Sequence, residues 1–251
     1  MMICEAFPNL RSIGGIRAPD GRVVREGLVY RSEALPAPRG EDAAILAALG
    51  IGALFDLRGP GERDAAPNDW WRAQGASIEA IDLVADVRHA GDHWRALVED
   101  PDEGGRAMML ATYAALPLAV LPHLDRLFTT VAAGRGATLV HCSAGKDRTG
   151  VVIALLLAAI GIEHGEIVAD YLESGRRRNP RVVGFTRDLL AARLGAPPSD
   201  RAVEALTGVD AQYLDASFAV IRDRYGAIDS YLAAAGWDCG RRETLRAVLL
   251  A

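Results

Sequence analysis

The segment from His141 to Gly150 places a nucleophile, a fixed cation and two glycines within one short stretch, HCSAGKDRTG. Cys142 is followed six positions later by Arg148, whose planar guanidinium can bind two oxygens of a phosphoryl group. The backbone N–H groups of residues 143–148 can form an anion-binding nest between them. A helix beginning near Thr149 would turn the positive end of its dipole toward the same point. The spacing therefore predicts a phosphate-binding loop with a cysteine at its mouth.

This loop predicts a covalent reaction at phosphorus. The helix end and the neighbouring cations favour a thiolate at Cys142, and a thiolate can attack phosphorus in line to form a phosphocysteine. Water would then hydrolyse the phosphocysteine. Because the loop amides and Arg148 neutralise the phosphoryl charge, neither a metal nor a cofactor is expected.

The leaving oxygen needs an acid, and three aspartates are candidates. Asp147 is the first choice, because the loop fixes its position beside the phosphate. Asp56 and Asp82 end predicted strands that can point at the same rim. For Asp56 and Asp82, a structural role as partners of loop amides or of Arg58 is the favoured alternative.

The other loop residues are predicted to bind the substrate. Ser143, Ala144 and Gly145 would do so mainly through their backbone N–H groups. The Thr149 hydroxyl is expected to donate to the sulfur of Cys142, to cap the following helix, or to do both.

Lys146 is the only lysine in the chain, which has 28 Lys and Arg residues together. A compact ammonium can meet a second anionic group where a guanidinium would be too large. The sequence therefore predicts that Lys146 contacts a second phosphate or a phosphoserine oxygen, with a chance occurrence as the alternative.

Three further residues are expected to support the loop. His141 should hydrogen-bond the backbone and shape the loop rather than act as a general base. Arg58 should be structural and brace the loop. Arg31 should either reach the substrate or pair with a carboxylate, and the second role is favoured.

Two other interpretations of the loop are weaker. A structural cysteine in a glycine-containing turn would not explain the apolar strand and helix that flank the segment. A rhodanese-type sulfur-transfer loop also follows a strand, but it would not need the run from Lys146 to Thr149.

The elements that must position this loop can be predicted from apolar patterns and turn residues. Strands are expected at 28–31, 53–57, 77–83 and 137–140. Helices are expected at 41–49, at 107–133 with a break at Pro117 or Pro122, at 149–160, and over most of 163–250. The alternation indicates an α/β fold with a mostly parallel sheet flanked by helices and a largely helical C-terminal half. We expect a single domain over 1–251, with a lid or insert around 86–117, because 86–105 is polar and rich in Gly, Pro and acidic residues.

Composition narrows the class of protein. The net charge of −5 argues against nucleic-acid binding, and the apolar run Val151–Ile160 is too short to span a bilayer, so no stable membrane insertion is expected. Three widely separated cysteines favour a reducing compartment over a disulfide framework. No Sec-type signal is visible at the N-terminus, so the expected location is the cytoplasm, or outside the cell by another route.

Several segments outside the loop occur in an order that resembles a known family. They are 9–15 (NLRSIGG), 28–35 (LVYRSEAL), 55–58 (FDLR), 141–150, 169–172 (ADYL), 224–226 (RYG) and 231–232 (YL). Together they resemble the atypical bacterial protein-tyrosine phosphatases, the mycobacterial PtpB-like enzymes, over nearly the whole chain. The resemblance implies a single α/β domain with mobile helical lids, although those lids are apolar and the 86–105 stretch is polar.

The resemblance also implies roles for four loop residues. Cys142 matches the nucleophile and Arg148 the phosphate clamp. Lys146 and Asp147 match the pair linked to the family's broad specificity, and Asp147 matches the favoured general acid. The expected substrates are phosphotyrosine, with phosphoserine, phosphothreonine and phosphoinositides as further possibilities.

Two alternatives remain open at the level of sequence. One is a phosphoinositide-specific lipid phosphatase, which Lys146 would favour. The other is a phosphate-binding module whose catalysis has decayed, and the presence of both Cys142 and Arg148 argues against it.

Overall fold

The computed structural model describes residues 4–83 and 91–251. The strands are β1 (Arg11–Ser12), β2 (Val29–Ser32), β3 (Ile51–Asp56), β4 (Ser77–Ala80) and β5 (Ala137–His141). The first helices are α1 (Glu41–Ala47), α2 (Pro60–Ala65), α3 (Asp69–Ala73), α4 (Gly91–Glu99), α5 (Pro101–Val120), a 3₁₀ turn (Leu121–His123) and α6 (Leu124–Ala133). The later helices are α7 (Asp147–Ala159), α8 (His164–Arg176), α9 (Pro180–Leu194), α10 (Asp200–Thr207), α11 (Ala211–Tyr225), α12 (Ile228–Ala234) and α13 (Cys239–Leu249).

The five strands form one sheet in the order β1-β2-β5-β3-β4. Strands β2, β5, β3 and β4 are parallel, and β1 joins the edge antiparallel to β2. The predicted α/β class with a mostly parallel sheet is therefore confirmed. Strand β1 has only two residues, too few for a period-two pattern to be visible in the sequence.

Side chains alternate between two cores along the central strands. On one face Phe55 and Val140 pack with the helices that follow the sheet, and on the other Leu54 and Leu139 pack with Leu46 of α1. Both faces are covered, as expected for parallel strands joined by helical crossovers. The sheet is thus held rigidly at its centre, where β5 leads into the loop that follows it.

Helix α7 runs through the larger core. Every residue from Val151 to Leu157 is buried, because the stretch is apolar all round rather than on one face. The predicted buried helix is confirmed, but it begins at Asp147 rather than near Thr149. Its first turn therefore includes the residues that end the phosphate loop.

Helix α5 connects the two halves of the chain. It packs against α4, α10 and α11, and it buries Met108, Tyr113 and Leu116. Of the two expected break points, Pro122 lies in the 3₁₀ turn that separates α5 from α6, whereas Pro117 lies inside α5. Because Pro117 has no N–H group, it cannot donate to the carbonyl four residues earlier, which is Tyr113 O. That carbonyl instead accepts the Ser217 hydroxyl at 2.7 Å.

The region expected to be a lid or insert, 86–117, is helical from residue 91 onward as α4 and most of α5. Residues 86–90 of that prediction lie outside the described residues. By length and composition alone the stretch Pro101–Ala133 could cross a membrane. Its packing against α4, α10 and α11 is that of a core helix.

Candidate active site

The carboxyl ends of three neighbouring parallel strands meet at one edge of the sheet. Ser32 of β2 and Asp56 of β3 both pair in register with His141, the last residue of β5. Such an edge is where ligands bind in open α/β sheets. Cys142 follows directly and is 1 % exposed, so the predicted nucleophile lies at the base of this edge.

The phosphate loop, residues 142–148, has its carbonyl groups held from the outside. Ser143 O accepts the backbone N–H of Ala34 at 3.1 Å, and the Asn9 side chain donates to Ala144 O at 3.0 Å and to Gly145 O at 3.1 Å. Within residues 4–83 and 91–251, the N–H groups of Ser143, Ala144, Gly145 and Asp147 donate to no acceptor. The loop backbone therefore offers donors to an anion, as predicted for a nest.

Gly145 is required by both the conformation and the space at its position. Its φ is +66°, a region that other residues rarely adopt. A Cβ atom there would lie 2.3 Å from the Ser32 carbonyl carbon and 2.4 Å from the Glu33 nitrogen. The loop can therefore pack against the end of β2 only with glycine at this position.

Thr149 is the third residue of α7, so its predicted role as the helix N-cap is wrong. Lys146 occupies the N-cap position instead, without a side-chain capping bond. The Thr149 hydroxyl is fully buried and has no hydrogen-bond partner among the described residues, so its expected bond to the Cys142 sulfur is not formed. A buried hydroxyl without a partner is costly, and donation to a charged sulfur stays a prediction.

Arg148 is held in a bidentate ion pair that was not predicted from the sequence. Its Nη1 and Nη2 donate to the two carboxylate oxygens of Glu62 at 2.6 and 2.8 Å, and Nη1 also donates to Leu57 O at 3.1 Å. The hydroxyl of Ser143 donates to the same carboxylate. Burial opposes the charge on Glu62, but its bonds to Arg148 outweigh burial and lower the pKa of Glu62 to about 2. Glu62 therefore stays ionised and orients the guanidinium toward the loop.

Asp147 lies in the first turn of α7 and is 8 % exposed. Its Oδ1 accepts the hydroxyl of Tyr113 at 2.8 Å and lies 3.2 Å from Lys146 Nζ. The Tyr113 oxygen lies 2.7 Å from the oxygen of Tyr171. The favoured acid is thus held by Tyr113, which in turn contacts Tyr171 on another helix.

Lys146 does not extend freely from the loop. Its ammonium donates to Leu206 O and Gly208 O, both at 2.8 Å, and lies near Asp147. Three acceptors match the three donors of an ammonium. In this arrangement the expected contact with a second substrate anion is replaced by a tie between the loop and the carboxyl end of α10.

Asp56 and Arg58 form a buried pair beneath the loop. Arg58 donates to both oxygens of Asp56 at 2.8 Å, and Asn68 donates to Asp56 Oδ2 at 2.7 Å. Burial alone would raise the pKa of Asp56, but the bonds from Arg58 and the nearby charges lower it. The pairing of Asp56 with Arg58, the favoured alternative, is present, so Asp56 is occupied rather than available as an acid, while a bracing of the loop by Arg58 stays a prediction.

His141 is fully buried beside this pair. Its Nδ1 lies 3.4 Å from Cys142 O, as expected for a residue that shapes the loop backbone. Burial lowers the pKa of His141 to about 4, so the ring is neutral at pH 7.

Arg31 pairs with a carboxylate, which was the favoured prediction. Its guanidinium donates to Asp170 Oδ2 at 2.6 Å and to Gly145 O at 3.0 Å. Arg11 contacts the other oxygen of Asp170 at 3.2 Å. Burial opposes the charge on Asp170, but the two arginines outweigh burial and lower its pKa. Arg31 therefore holds the loop through the Gly145 carbonyl rather than reaching the substrate.

Asp82 lies outside this network. Its side chain is half exposed, and its ion-pair partner is Arg63 at 3.5 Å. The structure therefore gives Asp82 no contact with the phosphate loop that would favour it over Asp147.

The site residues missed at the level of sequence come from parts of the chain far from the loop. Asn9 and the pair Asp170-Tyr171 lie in segments that carried the family resemblance, but the segments alone gave them no role. Glu62 follows the turn after β3, where a glutamate at a helix start is an ordinary feature. Tyr113 lies on an apolar helix whose pattern indicates only a core position.

Comparison with known proteins identifies relatives over most of the chain. A model of the tyrosine phosphatase family matches residues 2–251. A Cupriavidus necator protein named as a tyrosine-protein phosphatase is 33 % identical over 91 % of this chain and 81 % of its own. The triple specificity protein phosphatase PtpB of Mycobacterium tuberculosis is 31 % identical over 93 % of this chain and 94 % of its own.

The solved structure of TpbA from P. aeruginosa aligns with 78 % of this chain and 89 % of its own, at 15 % identity. The TM-score is 0.37, so the assignment depends on the sequence matches.

Proposed function

The chain belongs to the tyrosine phosphatase family and is a protein-tyrosine phosphatase, and we propose that it acts through a phosphocysteine formed on Cys142. The observation that carries this proposal is the loop itself. Its carbonyls are held outward, Arg148 is oriented by Glu62, and Cys142 lies at the carboxyl end of β5 among them.

In the first step the Cys142 sulfur attacks phosphorus and the bond to the leaving oxygen breaks. Four loop N–H groups, the dipole of α7 and the Arg148 guanidinium stabilise the negative charge on the phosphoryl oxygens. Asp147 gives its proton to the leaving oxygen, so the alcohol departs neutral.

In the second step water attacks the phosphocysteine. The Asp147 carboxylate takes a proton from that water, and the sulfur leaves as a thiolate. The buried Thr149 hydroxyl has no other partner among the described residues, so it would stabilise this thiolate.

We propose phosphotyrosine as the main substrate class. A wider range is a second candidate, because a relative that covers nearly the whole chain is named a triple specificity phosphatase. Lys146 no longer supports a preference for phosphoinositides, since its ammonium is bound to α10. Initial rates on a phosphotyrosine peptide, a phosphoserine peptide and a multiply phosphorylated inositide would rank these classes.

The test is turnover of an aryl phosphate by the wild-type enzyme and by Cys142→Ser. We expect wild-type turnover that vanadate inhibits and a chelator leaves unchanged, and no turnover by Cys142→Ser. Cys142→Ser should still bind vanadate, because the loop amides and Arg148 remain. Substantial turnover by Cys142→Ser would contradict the covalent mechanism.

A further inference from the structure

We propose that Tyr113 and Tyr171 are positioning residues that hold Asp147 as the general acid through a one-directional chain of hydrogen bonds. The inference rests on the proposed function, in which Asp147 protonates the leaving oxygen. It assigns a task to two buried tyrosines that do not themselves touch the reacting atoms.

The direction of the hydrogen bonds follows from the carboxylate at one end, whose oxygen accepts from Tyr113. The Asp147 oxygen accepts the single proton of Tyr113 at 2.8 Å. Tyr113 therefore has no proton left for Tyr171, and Tyr171 must donate across the 2.7 Å gap to Tyr113. Every donor points toward Asp147.

Both tyrosines keep their protons at any ordinary pH. Burial and the charge of Asp147 raise the pKa of Tyr113 well above its usual value. Burial, and then the same charge, raise the pKa of Tyr171. The chain is therefore a permanent donor and does not itself exchange protons with the substrate.

The hydrogen-bond chain makes the two carboxylate oxygens of Asp147 different from each other. Tyr113 donates to Oδ1, and Lys146 Nζ is closest to that same atom at 3.2 Å. We assign the transferable proton to Oδ2. A protonated carboxyl group keeps one oxygen as an acceptor, so Tyr113 can hold Oδ1 both before and after the proton leaves Oδ2. No rearrangement is needed during the reaction, which is what a preorganised acid requires.

The tyrosines are themselves fixed by packing on three helices. The rings of Tyr113 on α5 and Tyr171 on α8 meet edge to face at 5.9 Å, and Tyr213 on α11 stacks on Tyr113 at 5.6 Å. The Tyr113 carbonyl, freed by Pro117, is taken by Ser217. This packing sets the position of the Tyr113 oxygen and, through it, the side-chain angle of Asp147.

The protein offers a matched control for a tyrosine-to-phenylalanine change. Tyr231 is also fully buried, and its hydroxyl donates to Pro117 O on the same helix at 2.7 Å. Tyr231→Phe removes the same hydroxyl group and a hydrogen bond of similar length, in this case one to Pro117 O of α5. It leaves the contacts of Asp147 unchanged. Tyr231→Phe therefore controls for the loss of a buried tyrosine hydroxyl, while Tyr113→Phe removes bonds to both Asp147 and Tyr171.

The experiment compares kcat/KM for a series of aryl phosphates that runs from activated to poor leaving groups. Tyr113→Phe should lose about tenfold more activity on the poorest leaving group than on the most activated one. Tyr171→Phe should show the same dependence on the leaving group, with a smaller loss of kcat/KM. It serves as the second variant if Tyr113→Phe folds poorly. Tyr231→Phe should lower all rates equally or not at all.

A double-mutant cycle gives an independent measure. Asp147→Asn should show the steepest dependence on the leaving group, and adding Tyr113→Phe to it should cost nothing further, because no acid remains to be positioned. Equal losses across the series for Tyr113→Phe and Tyr231→Phe, with a steep dependence for Asp147→Asn, would overturn the inference and leave the proposed function intact. A flat series for Asp147→Asn would overturn the inference together with the acid role of Asp147, while the nucleophilic role of Cys142 would stand.

Discussion

At the scale of single residues, Lys146 shows how a partner in the fold can change the interpretation of a motif. Its position in the loop and its rarity in the chain predicted a contact with substrate. The structure instead places its ammonium against two carbonyl oxygens at the end of α10. Neither Leu206 nor Gly208 carries a sequence signal for this contact, because any residue supplies a carbonyl oxygen.

The first prediction concerns the substitution Lys146→Met. It leaves the two buried carbonyls without a donor and removes the tie between the loop and α10, so we expect a loss of stability of about 1–3 kcal/mol. Turnover of a phosphotyrosine peptide and of a multiply phosphorylated inositide should fall by the same factor, at low and at high salt. A selective loss on the inositide that shrinks with added salt would show that Lys146 binds substrate after all.

The second prediction concerns His141 and pH. The pKa of His141 is lowered from its ordinary 6.5 to about 4 by burial, so the unfolded chain binds a proton that the folded chain does not. The stability that comes with the neutral ring is present above pH 6.5 and is lost as the pH falls toward 4. Over that interval the shift corresponds to about 3 kcal/mol of unfolding free energy.

Denaturant unfolding between pH 7 and pH 4 tests this point. The wild type and His164→Gln, which changes an exposed histidine, should lose stability steeply over the interval. His141→Gln should lose clearly less, because the proton-binding difference is gone. Identical pH dependence in all three proteins would mean that His141 does not titrate as its burial requires.

At the scale of elements, local patterns predicted strands β2 to β5 and helix α7, because each is a run of apolar residues bounded by turn residues. The three strand ends, the loop and the buried helix could therefore be placed from the sequence. The contacts made by Glu62, Tyr113 and Asp170 could not, because they join residues far apart in the chain.

Helices α4 and α5 illustrate an element contact with a clear steric basis. Their close approach depends on Gly104, where a Cβ atom would lie 2.4 Å from Ala96 O and 2.7 Å from Leu97 N. Both of these are backbone atoms and cannot turn aside as the end of a flexible side chain could.

The third prediction compares two glycine-to-alanine changes inside helices. Gly104→Ala should force α4 and α5 apart and lower stability by about 1–3 kcal/mol. Gly184→Ala in α9, where no described atom beyond its chain neighbours and the nearby backbone of its own helix lies within 4 Å of the new Cβ, should raise stability by about 0.5–1 kcal/mol. Thermal unfolding of the two variants should give midpoints that shift in opposite directions. A rise in both would contradict the packing of α4 on α5.

At the scale of the whole molecule, the sequence was sufficient to predict the fold class and the tyrosine phosphatase family. The α/β architecture follows from alternating strands and helices. The proposed loop chemistry follows from one short motif, because its residues are close together in the sequence. What could not be predicted is how the helical C-terminal half meets the loop. The carbonyls at the end of α10 accept from Lys146 of the loop, and Tyr171 on α8 reaches the loop through Tyr113; these contacts are decided by tertiary packing.

The same division explains why the catalytic and the supporting residues differ in predictability. Cys142 and Arg148 need only a strand, a turn and a helix around them. The orientation of Arg148 needs Glu62, and that of Asp147 needs Tyr113, so both depend on the assembled molecule. Substrate range should depend on this assembled surface more than on the motif.

The central claim is that phosphate passes through a covalent bond to Cys142. The most direct measurement is rapid acid quenching during turnover of an aryl phosphate with a radiolabelled phosphoryl group, followed by mapping of the label in the protein. We expect label on Cys142 in the wild-type enzyme and none in Cys142→Ser, which should also show no turnover. Rapid turnover by the wild type with no label on Cys142 at any quench time, together with turnover by Cys142→Ser, would contradict the claim.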